Sequence, residues 1–157
     1  MTSQIHIVTK DQLNADNEYI GTVDLSNFDG AIEIGADLGW VKFKALVATK
    51  YIVAKAGSGI EAGWGIEAGS DIKAGWGIKA GEGIEAGWGI KAGWGIEAGL
   101  KISAKWITAK LRIFAGLCLW RIPTEEETEV AAELREGVIA FGKHVEPAKT
   151  DEPAVQS

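Results

Sequence analysis

Isoleucine occupies every sixth position from Ile60 to Ile102, and an alanine stands two residues beyond each, from Ala62 to Ala104. Between them, from the first pair to the seventh, sits a charge: Glu61, Glu67, Lys73, Lys79, Glu85, Lys91 and Glu97. Such alternation is the mark of a strand, whose successive side chains point to opposite faces. Ile and Ala turn inward and the charge turns outward. A helix cannot hold this pattern, because a period of six drifts around a 3.6-residue turn. Its interior glycines would also cost about 1 kcal/mol each. The Gly-x-Gly after each strand reads as a corner, where glycine is able to take positive φ. Three-residue strands do not stand alone, so the coils must stack and share backbone hydrogen bonds.

The expected fold is therefore all-β, a hexapeptide-repeat β-solenoid over residues 38–122. Its regular part runs from about residue 52 to 113. Outside the perfect block the spacing degrades but continues. Leu46 and Ile52 are six apart, as are Ile32 and Leu38, and two extra residues precede Ile60. Residues 1–37 form an N-terminal cap, with strands expected at residues 5–8 and 20–25. The corner positions read Trp64, Ser70, Trp76, Glu82, Trp88, Trp94 and Leu100. Twelve residues per coil would stack Trp64, Trp76 and Trp88 in one column, whereas eighteen would mix the columns. Because aromatic side chains gain from stacking on one another, twelve is favoured over eighteen.

Pro123 ends the pattern. Thr124 and Glu127 have the spacing of a capping box, and Val130, Leu134, Val138 and Phe141 follow on one helical face. A single C-terminal capping α-helix is expected over residues 125–140, within a segment 123–143. Residues 144–157 are polar and read as a disordered tail.

Composition narrows the function classes. Glycine is 21 and tryptophan 7 of 157 residues, and the net charge is −6. The acidic balance disfavours nucleic-acid binding by the whole chain. One cysteine, Cys118, cannot form an internal disulfide, which points to the cytoplasm. No apolar run approaches a membrane span. Charge is nonetheless segregated: residues 42–55 hold four lysines and no acid, and residues 101–121 hold five basic residues and no acid.

The Ile-x-Ala-Gly-x-Gly unit resembles the hexapeptide-repeat β-solenoids, of which left-handed β-helix acyltransferases are the best-known members. The resemblance implies that Ile60, Ile66, Ile72 and their successors are core positions. The repeat looks most like solenoid modules of bacterial and phage accessory proteins. It departs from the acyltransferase pattern at Trp64, Trp76, Trp88 and Trp94, where that family places a small residue. Acyltransferases of this kind rely on a histidine base in a trimeric cleft. Here His6 and His144 both lie outside the repeats and read as surface residues.

No catalytic, cofactor or metal motif is present, and Cys118, in an apolar run, reads as a buried inert thiol. The expectation is a non-enzymatic interaction module, homo-oligomeric, whose rigid rod binds a partner protein. An inhibitor or adaptor from a phage or mobile element fits this description. A self-assembling structural solenoid is the alternative, and nucleic-acid binding through the basic stretches is third. The candidate contact residues are Trp64, Trp76, Trp88 and Trp94, because tryptophan is enriched at binding hot spots. Lys42, Lys44, Lys105 and Lys110 join them from the basic stretches. The alternation of Glu and Lys along the repeat is expected to give charge pairs between neighbouring strands.

Overall fold

The structure is a computed structural model that describes residues 4–147. Among these residues the chain forms fifteen strands in one parallel, curled sheet. In chain order they are β1 (Gln4–Val8), β2 (Gly30–Ile34), β3 (Gly39–Phe43), β4 (Leu46–Ala48) and β5 (Ile52–Ala54). The repeats supply β6 (Ser58–Ala62), β7 (Ile66–Ala68), β8 (Ile72–Ala74), β9 (Ile78–Ala80), β10 (Ile84–Ala86), β11 (Gly89–Ala92) and β12 (Ile96–Ala98). The far end holds β13 (Ile102–Phe114), β14 (Glu129–Phe141) and β15 (Lys143–Val145).

From β2 to β10 each strand pairs with the third strand along the chain. Ile66 lies beside Ile84, Ile72 beside Ile90, and Ile78 beside Ile96. The coil therefore holds eighteen residues on three faces, which corrects the expected twelve. Three Gly-x-Gly bends close the path. A two-sided coil would ask each three-residue corner to reverse the chain. Upstream coils are longer, since Ile32 pairs with Ile52 and Val41 with Ile60. Val41 and Phe43 are thus the buried core residues of β3, and Leu38, just before it, is only partly buried.

The core is a stack of isoleucines with alanine beside each. Ile60, Ile66, Ile72, Ile78, Ile84, Ile90, Ile96 and Ile102 are all buried, with no more than 1% of their surface exposed. The corner glycines do not serve as expected. None of the repeat glycines takes a positive φ. Many of them are needed because coils touch at the corners: a Cβ on Gly81 would collide with the carbonyl oxygen of Gly63, and one on Gly99 with that of Gly81.

At the N-terminal end the strand expected at residues 5–8 is present as β1, which pairs with β2. No strand forms at residues 20–25. That segment is a loop, and Leu25 and Phe28 turn from it into the core. His6 is half-buried here rather than on the surface, edge-on to Tyr19 and Phe28 at 6.1 and 6.0 Å between ring centroids. These rings cover the first coil.

The C-terminal α-helix does not form. The capping box exists: Thr124 N donates to Glu127 Oε1 at 2.9 Å, and Glu127 N to Thr124 Oγ1 at 3.3 Å. It closes only a 3-10 turn, Glu126–Thr128, after which β14 runs beside β13. Val130 stacks on Ile102 and Leu134 on Ile107, so half of the expected helical face belongs to one more coil, in which Ile139 stacks on Ile113 while Val138 and Phe141 are exposed. Gly137, at φ 111°, and the β-branched Val138 and Ile139 oppose a helix, while β13 offered an open edge to pair. Lys143–Val145 pairs on as β15. The rest of the expected tail, from residue 148, lies outside the described residues.

Candidate interaction faces

A coil of eighteen residues samples every third hexapeptide on each face, and this sorts the outward charges. On one face Glu67 of β7 stands beside Glu85 of β10, with Val47 before them and Ser103 after. On the second, Lys73 of β8 stands beside Lys91 of β11. On the third, Lys42, Glu61, Lys79 and Glu97 follow one another on β3, β6, β9 and β12. We call these the acidic, basic and alternating faces. The expected charge pairs between neighbouring strands are available on the alternating face alone. On the other two, like charges lie one strand spacing apart, about 4.8 Å. Directly opposed like charges destabilise a sheet.

The acidic face carries a trough of about 540 Å³. Glu67 and Glu85 form its floor, and Trp64, Glu82 and Leu100 wall one side. These three wall residues form a single corner column, since Glu82 N donates to the Trp64 carbonyl and Leu100 N to that of Glu82. Trp64 is 62% exposed. Glu127 closes the far end, held by Arg121 through two hydrogen bonds of 2.7 and 2.8 Å. That pair, with the Thr124 amide, holds the Glu127 carboxyl at about 2, well below the usual carboxylate range.

The predicted contact residues do not form one strip. Trp64 borders the acidic face on its alternating side. Trp88, 55% exposed, stands at the corner between the acidic and basic faces, with Lys105 Nζ 4.3 Å above its ring. Trp76 and Trp94 share the third corner, stacked at 4.6 Å, and Trp40 meets both edge-on at 6.3 Å. The expected column of Trp64, Trp76 and Trp88 is thus divided among three corners. The lysines scatter likewise. Lys42 belongs to the alternating face. Lys44 sits at the Trp64 corner, where its carbonyl accepts from Trp64 N. Lys110 lies within 4.0 Å of Glu136.

Sequence reasoning missed Trp40, the paired Glu67 and Glu85, and the segment 117–122. The paired glutamates are visible once the charged position is read at every third repeat. The segment 117–122 left no periodic signal. It leaves the solenoid after Leu117 and exposes Leu119, Trp120 and Ile122, at 99%, 60% and 91%. Cys118 is half-buried rather than buried. His144 Nε2 lies 2.7 Å from the Ala132 carbonyl.

Comparison with models of protein families, with curated proteins and with solved structures returns no match. No helix among the described residues is long and apolar enough to cross a membrane.

Proposed function

We propose that the protein is a non-enzymatic interaction module whose acidic face docks a basic segment of a partner protein. The observation that carries this reading is the pairing of Glu67 with Glu85 beneath an exposed Trp64. Two like charges on adjacent strands cost the fold a few tenths of a kcal/mol, up to about 1. A cationic partner removes that cost and gains a tryptophan wall for its Lys or Arg side chains. A stacked solenoid holds these groups at fixed spacing, so little entropy is lost on docking. An adaptor or inhibitor working in the cytoplasm fits such a docking face. Lys42 and Lys44 are neighbours, but Lys105 lies over Trp88 and Lys110 beside Glu136, and this scatter favours the acidic-face reading over nucleic-acid binding.

The test is direct titration with a fluorescent arginine-rich peptide, followed by affinity capture of the native partner. Glu67→Gln/Glu85→Gln should weaken peptide binding at least tenfold while leaving the melting temperature equal or higher. The captured partner should be lost with the same variant and at high salt. Unchanged peptide binding in the variant would reject the acidic face.

A self-assembling solenoid is the second reading. It draws on β14, which beyond residue 131 has no outer neighbour among the described residues and exposes Val138 and Phe141. Filaments in electron micrographs, abolished by Val138→Lys, would favour it.

A further inference from the structure

The alternating face is complementary to itself. Its four rungs read Lys42, Glu61, Lys79, Glu97 along the solenoid axis. Turned end for end, the same ladder reads Glu97, Lys79, Glu61, Lys42. A two-fold axis lying in the face, parallel to the strands and midway between Glu61 and Lys79, therefore sets Lys42 opposite the second copy's Glu97. It also sets Glu61 opposite the second copy's Lys79, and each contact occurs twice. We infer that two copies of this chain associate through the alternating faces, with solenoid axes antiparallel.

Three observations support a second copy as the occupant. Among the described residues, none of the four side chains forms an ion pair within its own chain. The charges are aligned but uncommitted. The floor is walled by apolar side chains that water covers in the single chain. Trp94 and Leu111 line a cavity of about 420 Å³ on one side, and Leu119 and Trp120 line one of about 260 Å³ on the other. Both cavities include Glu61, Lys79 and Glu97. The two-fold keeps each wall on the same side of the face and reverses it end for end, which brings Trp94 to the level of the second copy's Trp40 on β3. Such a contact is isologous and closes at two copies. The neighbouring rung, Glu18 beside Lys42, falls opposite Phe114 and so adds no like-charge contact. The acidic faces of both copies stay on the outside, which makes the assembly bivalent for a partner.

Light scattering of the purified chain at micromolar concentration should give twice the chain mass. Lys79→Glu opposes two glutamate pairs and should raise the dimer dissociation constant by about tenfold or more. Glu61→Lys/Lys79→Glu restores opposite charges across the two-fold while placing like charges beside one another within each chain. The double variant should therefore be dimeric again. Circular dichroism confirms folding, and Lys42→Glu, at the outer rung, repeats the test should Lys79→Glu fail to fold. A monomeric native chain, a Lys79→Glu or Lys42→Glu variant that dimerises as well as the native chain, or a double variant that stays monomeric would each overturn the inference.

Discussion

Trp76 and Trp94 lie face to face, 4.6 Å between ring centroids with their planes 10° apart, although eighteen residues separate them in the chain. Trp94 N donates to the Trp76 carbonyl at 2.9 Å, so backbone and rings stack together. Trp40 closes the cluster edge-on. This corner is braced, whereas Trp64 stands 62% exposed on another.

The two kinds of tryptophan should respond differently to substitution. Trp76→Ser removes a stacked ring and should lower stability by about 1–3 kcal/mol, from lost aromatic contact and lost burial. Trp64→Ser should change stability by less than about 0.5 kcal/mol, as a surface substitution does. Denaturant unfolding of the two variants checks this. Equal losses would show that Trp64 also braces its corner.

Corner glycines should divide in the same way. A Cβ at Gly81 meets the backbone carbonyl of the coil before it, which cannot swing aside. At Gly63 the nearest atom, the Lys44 carbonyl oxygen, lies 3.7 Å from such a Cβ, an ordinary contact. Gly81→Ala should therefore destabilise by more than about 1 kcal/mol, as strain at a backbone contact does. Gly63→Ala should be neutral or slightly stabilising through its effect on the unfolded chain. Thermal melts of the pair supply the comparison, and equal destabilisation would contradict the stacking geometry.

Glu127 provides a pH test. Its carboxyl is lowered to about 2 from 4.5, first by the hydrogen bonds from Arg121 and then by the Thr124 amide. A lowered folded-state pKa contributes stability above the ordinary carboxylate range, and that contribution is lost as pH falls through about 2. Carboxyl NMR should find the Glu127 midpoint near 2, and Arg121→Gln should move it upward. A midpoint near 4.5 in the native chain would remove the Arg121 pair from the account.

The isoleucine core was legible from Ile60 to Ile102, because a period of six repeated without a slip can be satisfied only by stacked strands. Coil size was not. Twelve follows only if ring stacking chooses the coil, whereas the bend available to a three-residue corner chooses it. The rings then pair where the coil allows, Trp76 with Trp94 and not with Trp64. The glycine requirement was legible but its cause was not, since contact between Gly81 and Gly63 appears only once coils are superposed. Thr124 and Glu127 misled for the opposite reason. Their capping box is real, but the open edge of β13 outweighs one turn's worth of helix signal. Of the candidate site, the exposed Trp64 was foreseen, while Glu67 and Glu85 became a pair only at the correct period.

That period is the central claim, because the sorting of charge into three faces depends on it. It is tested most directly by spin labels on Glu67→Cys/Glu85→Cys and on Glu67→Cys/Lys79→Cys, each with Cys118→Ser. With eighteen residues per coil, 67 and 85 lie on adjacent strands of one face, about 5 Å apart at the backbone, and their spectra should be strongly broadened by dipolar coupling. Positions 67 and 79 lie on different faces and should show much weaker broadening. Strong coupling between 67 and 79, with little between 67 and 85, would mean twelve residues per coil and would dissolve the acidic, basic and alternating faces together.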